Sequence, residues 1–180
     1  MEYLDVLDEN GNSTGTKKLR SEVHRDGDWH RAVHVWIITP KGDLIIQKRS
    51  RNKDSHANMW DISSAGHVPA GLSGIKAAKK EVEEELGVKL KESDFEYLFT
   101  LKHKIIINNG IFINNCFCDV YLVESVKINK GNITIQKEEL EDIKFIHFRE
   151  LEKTIKEKDK NFVPHEEEYK GLFEILKNRY

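Results

Sequence analysis

Four glutamates crowd the stretch Lys80-Glu81-Val82-Glu83-Glu84-Glu85-Leu86-Gly87-Val88. Each residue of an α-helix turns the chain by ~100°. If the apolar stripe Ile75, Ala78, Val82 and Leu86 is buried, Glu81, Glu84 and Glu85 share one flank within an arc of about 100°. Glu83 falls on the opposite flank, near Lys76 and Lys80. Like charges three or four apart cost a helix roughly 0.2–0.5 kcal/mol each. Glu84 and Glu85 also sit in the last turn, where the helix dipole costs a carboxylate about 0.3–1 kcal/mol at low salt. A divalent cation would remove both costs, and oxygen-only ligands suit Mg²⁺ or Mn²⁺. The spacing alone leaves two readings open, a solvated acidic face and a metal site.

Other groups could do chemistry. Lys48, Arg49, Arg51 and Lys53 form a basic cluster at the end of an expected strand, suited to gripping phosphates. Arg49, with Lys48 beside it, is the choice nearest the sheet. His24, His30, His34 and His67 invite comparison with a metal site, although structural histidines are commoner. Glu138 and Glu139 stand in a late loop. Cys116 and Cys118 lie two apart, so a strand would point both to one face as reduced thiols. Trp29, Trp36 and Trp60 read as core, with Trp60 able to line a pocket.

The elements that must position these residues follow from periodicity. Tyr3 to Leu7 reads as a strand, with a turn at Asp8-Glu9-Asn10-Gly11 and a short helix over Lys18 to Asp26. Ala32 to Thr39 and Leu44 to Lys48 read as a hairpin about Pro40-Lys41-Gly42-Asp43. A polar loop spans Ser50 to Asn58. Ser73 to Leu86 is the clearest helix, with Ser73 as N-cap and Gly87 past its end. Two long strands, Phe95 to Ile107 and Ile111 to Val123, flank Asn108-Asn109-Gly110. Ile143 to Phe148 is a short strand, and Arg149 to Lys158 and His165 to Tyr180 are helices. The order predicts an α/β (α+β) fold, a mixed sheet sandwiched between helices.

Composition narrows the class. The 180 residues suit one domain, and 38% hydrophobic with 33% charged residues suits a globular protein with a charged surface. A net charge of −2 gives no general grip on nucleic acid. No apolar run reaches the ~20 residues that cross a bilayer, and the acidic start is unlike a signal peptide, so a cytoplasmic protein without membrane contact is expected.

The stretch Gly66 to Val88 resembles the signature box of the Nudix hydrolase family. Gly66 matches its first glycine, and Glu81, Val82, Glu84, Glu85, Gly87 and Val88 match its second half in register. The hairpin before it, Trp60-Asp61, and Phe145 to Leu151 are similar to the family as well. The resemblance implies one Nudix domain over 1–180. Residues 1–30 would form an N-terminal hairpin and short-helix extension, and 160–180 a C-terminal helix. It implies that Glu81, Glu85 and Glu84 bind metal together with the Gly66 carbonyl. Glu84 would alternatively orient the attacking water, and a general base would come from the helix or from Glu138 or Glu139 in the late loop. The expected partner is a small-molecule diphosphate, with a homodimer possible.

Two positions depart from the box. Leu72 stands where the family has glutamate and Lys80 where it has arginine, so a salt bridge bracing the loop to the helix is lost at both ends. The histidines, with Ser64-Ala65-Gly66-His67, resemble isopentenyl-diphosphate isomerase, a relative on the same fold. That enzyme has a cysteine where Ala65 stands and later acidic residues where this chain reads Asn114-Asn115-Cys116. Hydrolysis of a nucleoside diphosphate derivative or similar metabolite is therefore the leading expectation. An isomerase and a non-catalytic diphosphate-binding module are the alternatives.

Overall fold

The segment Trp29–Ile38 (β3) is apolar on both faces, and the computed structural model buries both. Residues 1–53, 55–125 and 127–180 are described. Asp54, inside the loop expected over Ser50 to Asn58, lies outside them. Val33, Val35 and Ile37 face one core, and Trp36 and Ile38 the other, as strand alternation requires.

One edge of β3 pairs in parallel with Phe112–Glu124 (β8), in register from Trp29↔Asn115 to Ile38↔Glu124. Its other edge is divided among three partners. Leu7 of Tyr3–Leu7 (β1) meets Trp29, Ser64–His67 (β6) pairs with residues 32–35, and Asp43–Arg49 (β4) takes only Ile37 and Ile38. The hairpin expected between β3 and β4 is thus two pairs long, because β6 claims the middle of β3. Trp60–Asp61 (β5) pairs with one edge of β4, and Leu140–His147 (β9) with the other. Glu96–Ile107 (β7) pairs with β8 through a loop of residues 108–111. Asn108, Asn109 and Gly110 there all take positive φ, a conformation Asn and Gly tolerate best.

Helices cover both faces of the sheet, as expected. Gly74–Leu86 (α2) lays Ala77, Ala78, Val82 and Leu86 on the first core and ends at Gly87, whose φ of 68° gives a left-handed cap. Ser73 has the extended backbone of an N-cap but no side-chain cap bond. Asp119 occupies that end instead: its Oδ2 would lie 2.9 Å from a Cβ at Gly74. Arg31 (2.9 and 3.0 Å) and Thr100 (2.6 Å) hold that carboxylate in place, and its sign suits the positive end of the helix.

Phe148–Lys156 (α3) and Glu166–Lys177 (α4) cover the opposite face with Phe148, Leu151, Tyr169, Leu172 and Leu176. Cys116 and Cys118 are buried and free on that same face, as their spacing predicts. The N-terminal hairpin pairs β1 with Ser13–Leu19 (β2), and Arg20–Asp26 (α1) follows. Leu4, Val6 and Val23 form its own small core.

Candidate metal and phosphate site

The β6–α2 connection brings Gly66 against the middle of α2. A Cβ placed at Gly66 would lie 2.5 Å from Glu81 Oε1, so no larger residue fits there without displacing that carboxylate. Glu85, one turn on, is buried beneath the same strand, where Ser64 Oγ (2.6 Å) and the Ala65 N–H (3.3 Å) donate to its Oε2. Burial pushes both carboxyls up from 4.5 to about 7. At Glu81 the Glu85 charge adds to burial. At Glu85 the two hydrogen bonds oppose it.

Glu84 is set apart. Its side chain is half exposed and takes an i,i+4 bond of 3.1 Å from Lys80. Of the three glutamates expected to converge, the fold buries Glu85, half-buries Glu81 beside it and leaves Glu84 at the rim.

The site loop is not loose, despite the replacement of the family's brace. Leu72 packs on the first core. Leu4 of β1 bridges to Pro69, Tyr3 O accepts from the Ala70 N–H (2.8 Å), and Asp5 Oδ2 accepts from the Gly71 N–H (2.8 Å). The N-terminal hairpin therefore holds the loop from the side opposite α2.

Strand alternation separates the two basic residues of β4. Arg49 shares a face with Asp61, to which its Nη1 donates at 3.0 Å. Lys48 turns the other way, into a groove with Trp60, Lys144 and Phe162, and is not brought to the carboxylates. Lys53 is the additional cation. Its amine is held below its ordinary range by burial and by Arg49, against the opposing pull of Glu85 and Glu81, and it pairs with Glu139. The Glu139 loop is itself anchored on α2, where Gln136 N–H donates to Glu85 O (3.0 Å). Glu138 is exposed.

The four histidines divide. His24, His30 and His67 converge, with ligand atoms within 4.8 Å of one another, and burial holds all three below their ordinary range. Neutral imidazoles at that spacing could hold a transition metal. Among the described residues, His30 Nε2 has no hydrogen-bond partner, and neither do the buried side-chain oxygens of Asn114 and Asn115. His34 belongs elsewhere. Its Nδ1 donates to Glu168 Oε2 (2.7 Å), while Trp36 Nε1 donates to Glu168 Oε1 (2.8 Å). His165 and Glu168 complete that cluster.

In the sequence, Ser64 and Asp61 stand out only as parts of resembling segments, and no site role attaches to them, to His165 or to Glu168. A signal existed for Glu168, which sits on the stripe of Leu172 and Leu176, where a carboxylate must find partners.

Comparison with known proteins agrees with this geometry. The model of the NUDIX domain family matches residues 28–165. Nudix hydrolase 3 of Arabidopsis thaliana is 46% identical over 182 residues, covering 99% of this chain. This chain spans only 24% of that relative's length. An uncharacterized Nudix hydrolase of Listeria monocytogenes, lmo0368, is 36% identical over 152 residues, 84% of this chain and 83% of its own. Isopentenyl-diphosphate isomerases are also among the matched relatives. The crystal structure of DR0079 from Deinococcus radiodurans shares the fold with a TM-score of 0.69 at 19% identity, over 99% of both chains. No described helix is long and apolar enough to cross a membrane.

Proposed function

The chain belongs to the Nudix family, and from that premise we propose that it hydrolyses a diphosphate linkage in a nucleoside diphosphate derivative or similar small metabolite, with Mg²⁺ or Mn²⁺ bound. One observation carries the reading. Glu85 is buried and Glu81 half-buried beside it against Gly66, and among the described residues only Ser64 and the Ala65 N–H donate to the pair. Burying such a pair is costly unless a cation neutralises it. The donor set, carboxylate oxygens and backbone, is the one hard divalent ions prefer.

Glu81, Glu85 and the Gly66 carbonyl would hold the ion, and Glu84 at the rim would join them or orient water. When bound, the ion polarises a phosphoryl oxygen and acidifies water. The chain's own residues do the rest. Ser64 and the Ala65 N–H fix the Glu85 carboxylate through Oε2, which leaves Oε1 for the ion. Arg49 and Lys53 bring positive charge to the substrate phosphates, where in-line displacement needs positioning and neutralisation. Glu139, tied to Lys53, is the better placed of the two candidate bases.

The converged His24, His30 and His67 favour a second reading, an isopentenyl-diphosphate isomerase-like enzyme. Ala65 leaves that reading without the thiol the resemblance requires. One assay separates the two: product release from nucleotides, nucleotide sugars, dinucleotides, coenzyme A and isopentenyl diphosphate, with and without Mg²⁺ or Mn²⁺. Hydrolysis that Glu85→Ala abolishes is the expected result. Interconversion of isopentenyl diphosphate with its isomer would replace the reading. Tight diphosphate binding without turnover would make the chain a binding module.

A further inference from the structure

Asp61 is 4% exposed, and two of the three groups that partner its carboxylate come from elsewhere in the chain. Oδ1 accepts from His165 Nε2 (2.8 Å) and from the Ile62 N–H (2.8 Å), and Oδ2 accepts from Arg49 Nη1 (3.0 Å). His165 reaches this position because the chain before α4 docks on β5. Phe162 bridges in parallel to Trp60, Trp60 N–H donates to Asn161 O (2.7 Å), and Val163 N–H donates to Trp60 O (2.9 Å). Glu168, one turn later, locks α4 to β3 through His34 and Trp36. Arg49 is also tied through Nε to Ser55 O (3.2 Å), and its side chain is 18% exposed.

The division of labour on Asp61 has a consequence for Arg49. A guanidinium beside a free carboxylate prefers the forked, two-bond pairing. His165 and the Ile62 N–H together fill Oδ1, so Arg49 has one bond to Asp61, and its second terminal nitrogen makes no bond among the described residues.

We propose that His165, at the entry to the C-terminal helix, is a positioning residue for substrate. By occupying Asp61 Oδ1 it prevents a forked Arg49–Asp61 pair and keeps the Arg49 guanidinium turned toward the substrate diphosphate. The inference rests on the reading of Arg49 as a phosphate ligand. Without His165, Asp61 rotates to take both terminal nitrogens of Arg49, and the diphosphate loses that contact while the glutamates stay in place. The loss falls on binding, which is felt equally in ground and transition states, so KM rises and kcat holds.

The test uses the full chain with methylenediphosphonate, an uncleavable diphosphate, as probe in Mg²⁺, together with steady-state kinetics on the best substrate of the panel. His165→Ala should weaken probe binding and raise KM about tenfold, the lower end of what supporting contacts are worth, with kcat within about twofold. His165→Gln, whose amide N–H can reach Oδ1, should recover binding to within about twofold. His165→Asn, which is too short, should not. Arg49→Ala should weaken binding at least as much, and adding His165→Ala to it should change nothing further, because the two act through one contact.

If Arg49→Ala leaves binding unchanged, the phosphate-ligand reading fails and this inference with it. If Arg49→Ala weakens binding and His165→Ala does not, or the two effects add, the positioning role alone is overturned. Should His165→Ala fail to fold, the comparison of Gln with Asn decides in the same way.

Discussion

Ionising Glu81 and Glu85 should cost the metal-free protein stability, and neutralising one of them should restore it. Each carboxyl moves from 4.5 to about 7 on folding. The folded state therefore keeps protons that the unfolded chain releases near 4.5. The associated stability is intact below about pH 4.5, falls as pH rises toward about 7, and stays lost above. At 1.36 kcal/mol per pKa unit, ionising one such carboxyl costs roughly 3 kcal/mol. For a chain of this size about 1 kcal/mol moves the midpoint roughly 2–4 °C. Glu85→Gln should thus melt about 6–12 °C above the wild type at pH 8 in chelator, and nearly with it at pH 5.

Histidines titrate in the same window. Burial holds His24, His30, His56, His67 and His103 low, while Glu168 holds His34 high against its burial. They are common to both proteins, so the difference between the melting curves isolates the glutamates. Adding Mg²⁺ at pH 8 should raise the wild-type midpoint and move Glu85→Gln far less. Scanning calorimetry from pH 5 to 8, with chelator and then with Mg²⁺, is the measurement. A wild type as stable as Glu85→Gln in chelator at pH 8, or a difference independent of pH, refutes the reasoning.

Ser64→Ala removes the shorter of the two bonds to Glu85 Oε2. It should reduce Mg²⁺ affinity about 10–100-fold with little change in midpoint, read by calorimetric metal titration; unchanged affinity would deny Ser64 its orienting role. Gly66→Ala drives a methyl into the Glu81 carboxylate. Metal-stimulated hydrolysis should fall about 100-fold while circular dichroism still reports the fold, and activity near wild type would show that Glu81 can move without consequence.

Legibility in the sequence followed the range of the interaction. The α2 helix, the β7–β8 pair and α4 carry their own periodicity, and the sequence reading located them to within a few residues. The strands β5 and β6 are two and four residues long, too short for any period to appear. The exposed strand β2, STGTKKL, has no apolar face to betray it. The parallel register of β3 on β8 joins segments more than eighty residues apart and leaves no local trace. The site divides in the same way. The nearness of Glu81 and Glu85 could be expected from their spacing on one helix, and Gly66 from the resemblance of its stretch to the family's box, whereas Glu84, expected with them, stands apart on Lys80. Asp61 and His165 were not legible, since each acquires a role only when chain 104 residues away returns to it.

Glu85 and Glu168 are two buried carboxylates in unlike surroundings. Each lies on the inward side of a helix, and the two helices cover opposite faces of one sheet. In either sequence the acid would read as an error in an apolar stripe. Glu168 meets an imidazole and an indole N–H, and despite complete burial those donors hold it below its ordinary range. Glu85 meets a hydroxyl and one amide, both neutral, and burial holds it near 7. Lys53, the nearest cation to act on it, is bonded to Glu139. Glu168 has a charged partner, whereas Glu85, beside Glu81, forms no ion pair among the described residues, and in the proposed function that positive charge comes from outside the chain. Neutralising Glu168 should accordingly weaken the metal-free protein, where neutralising Glu85 strengthens it.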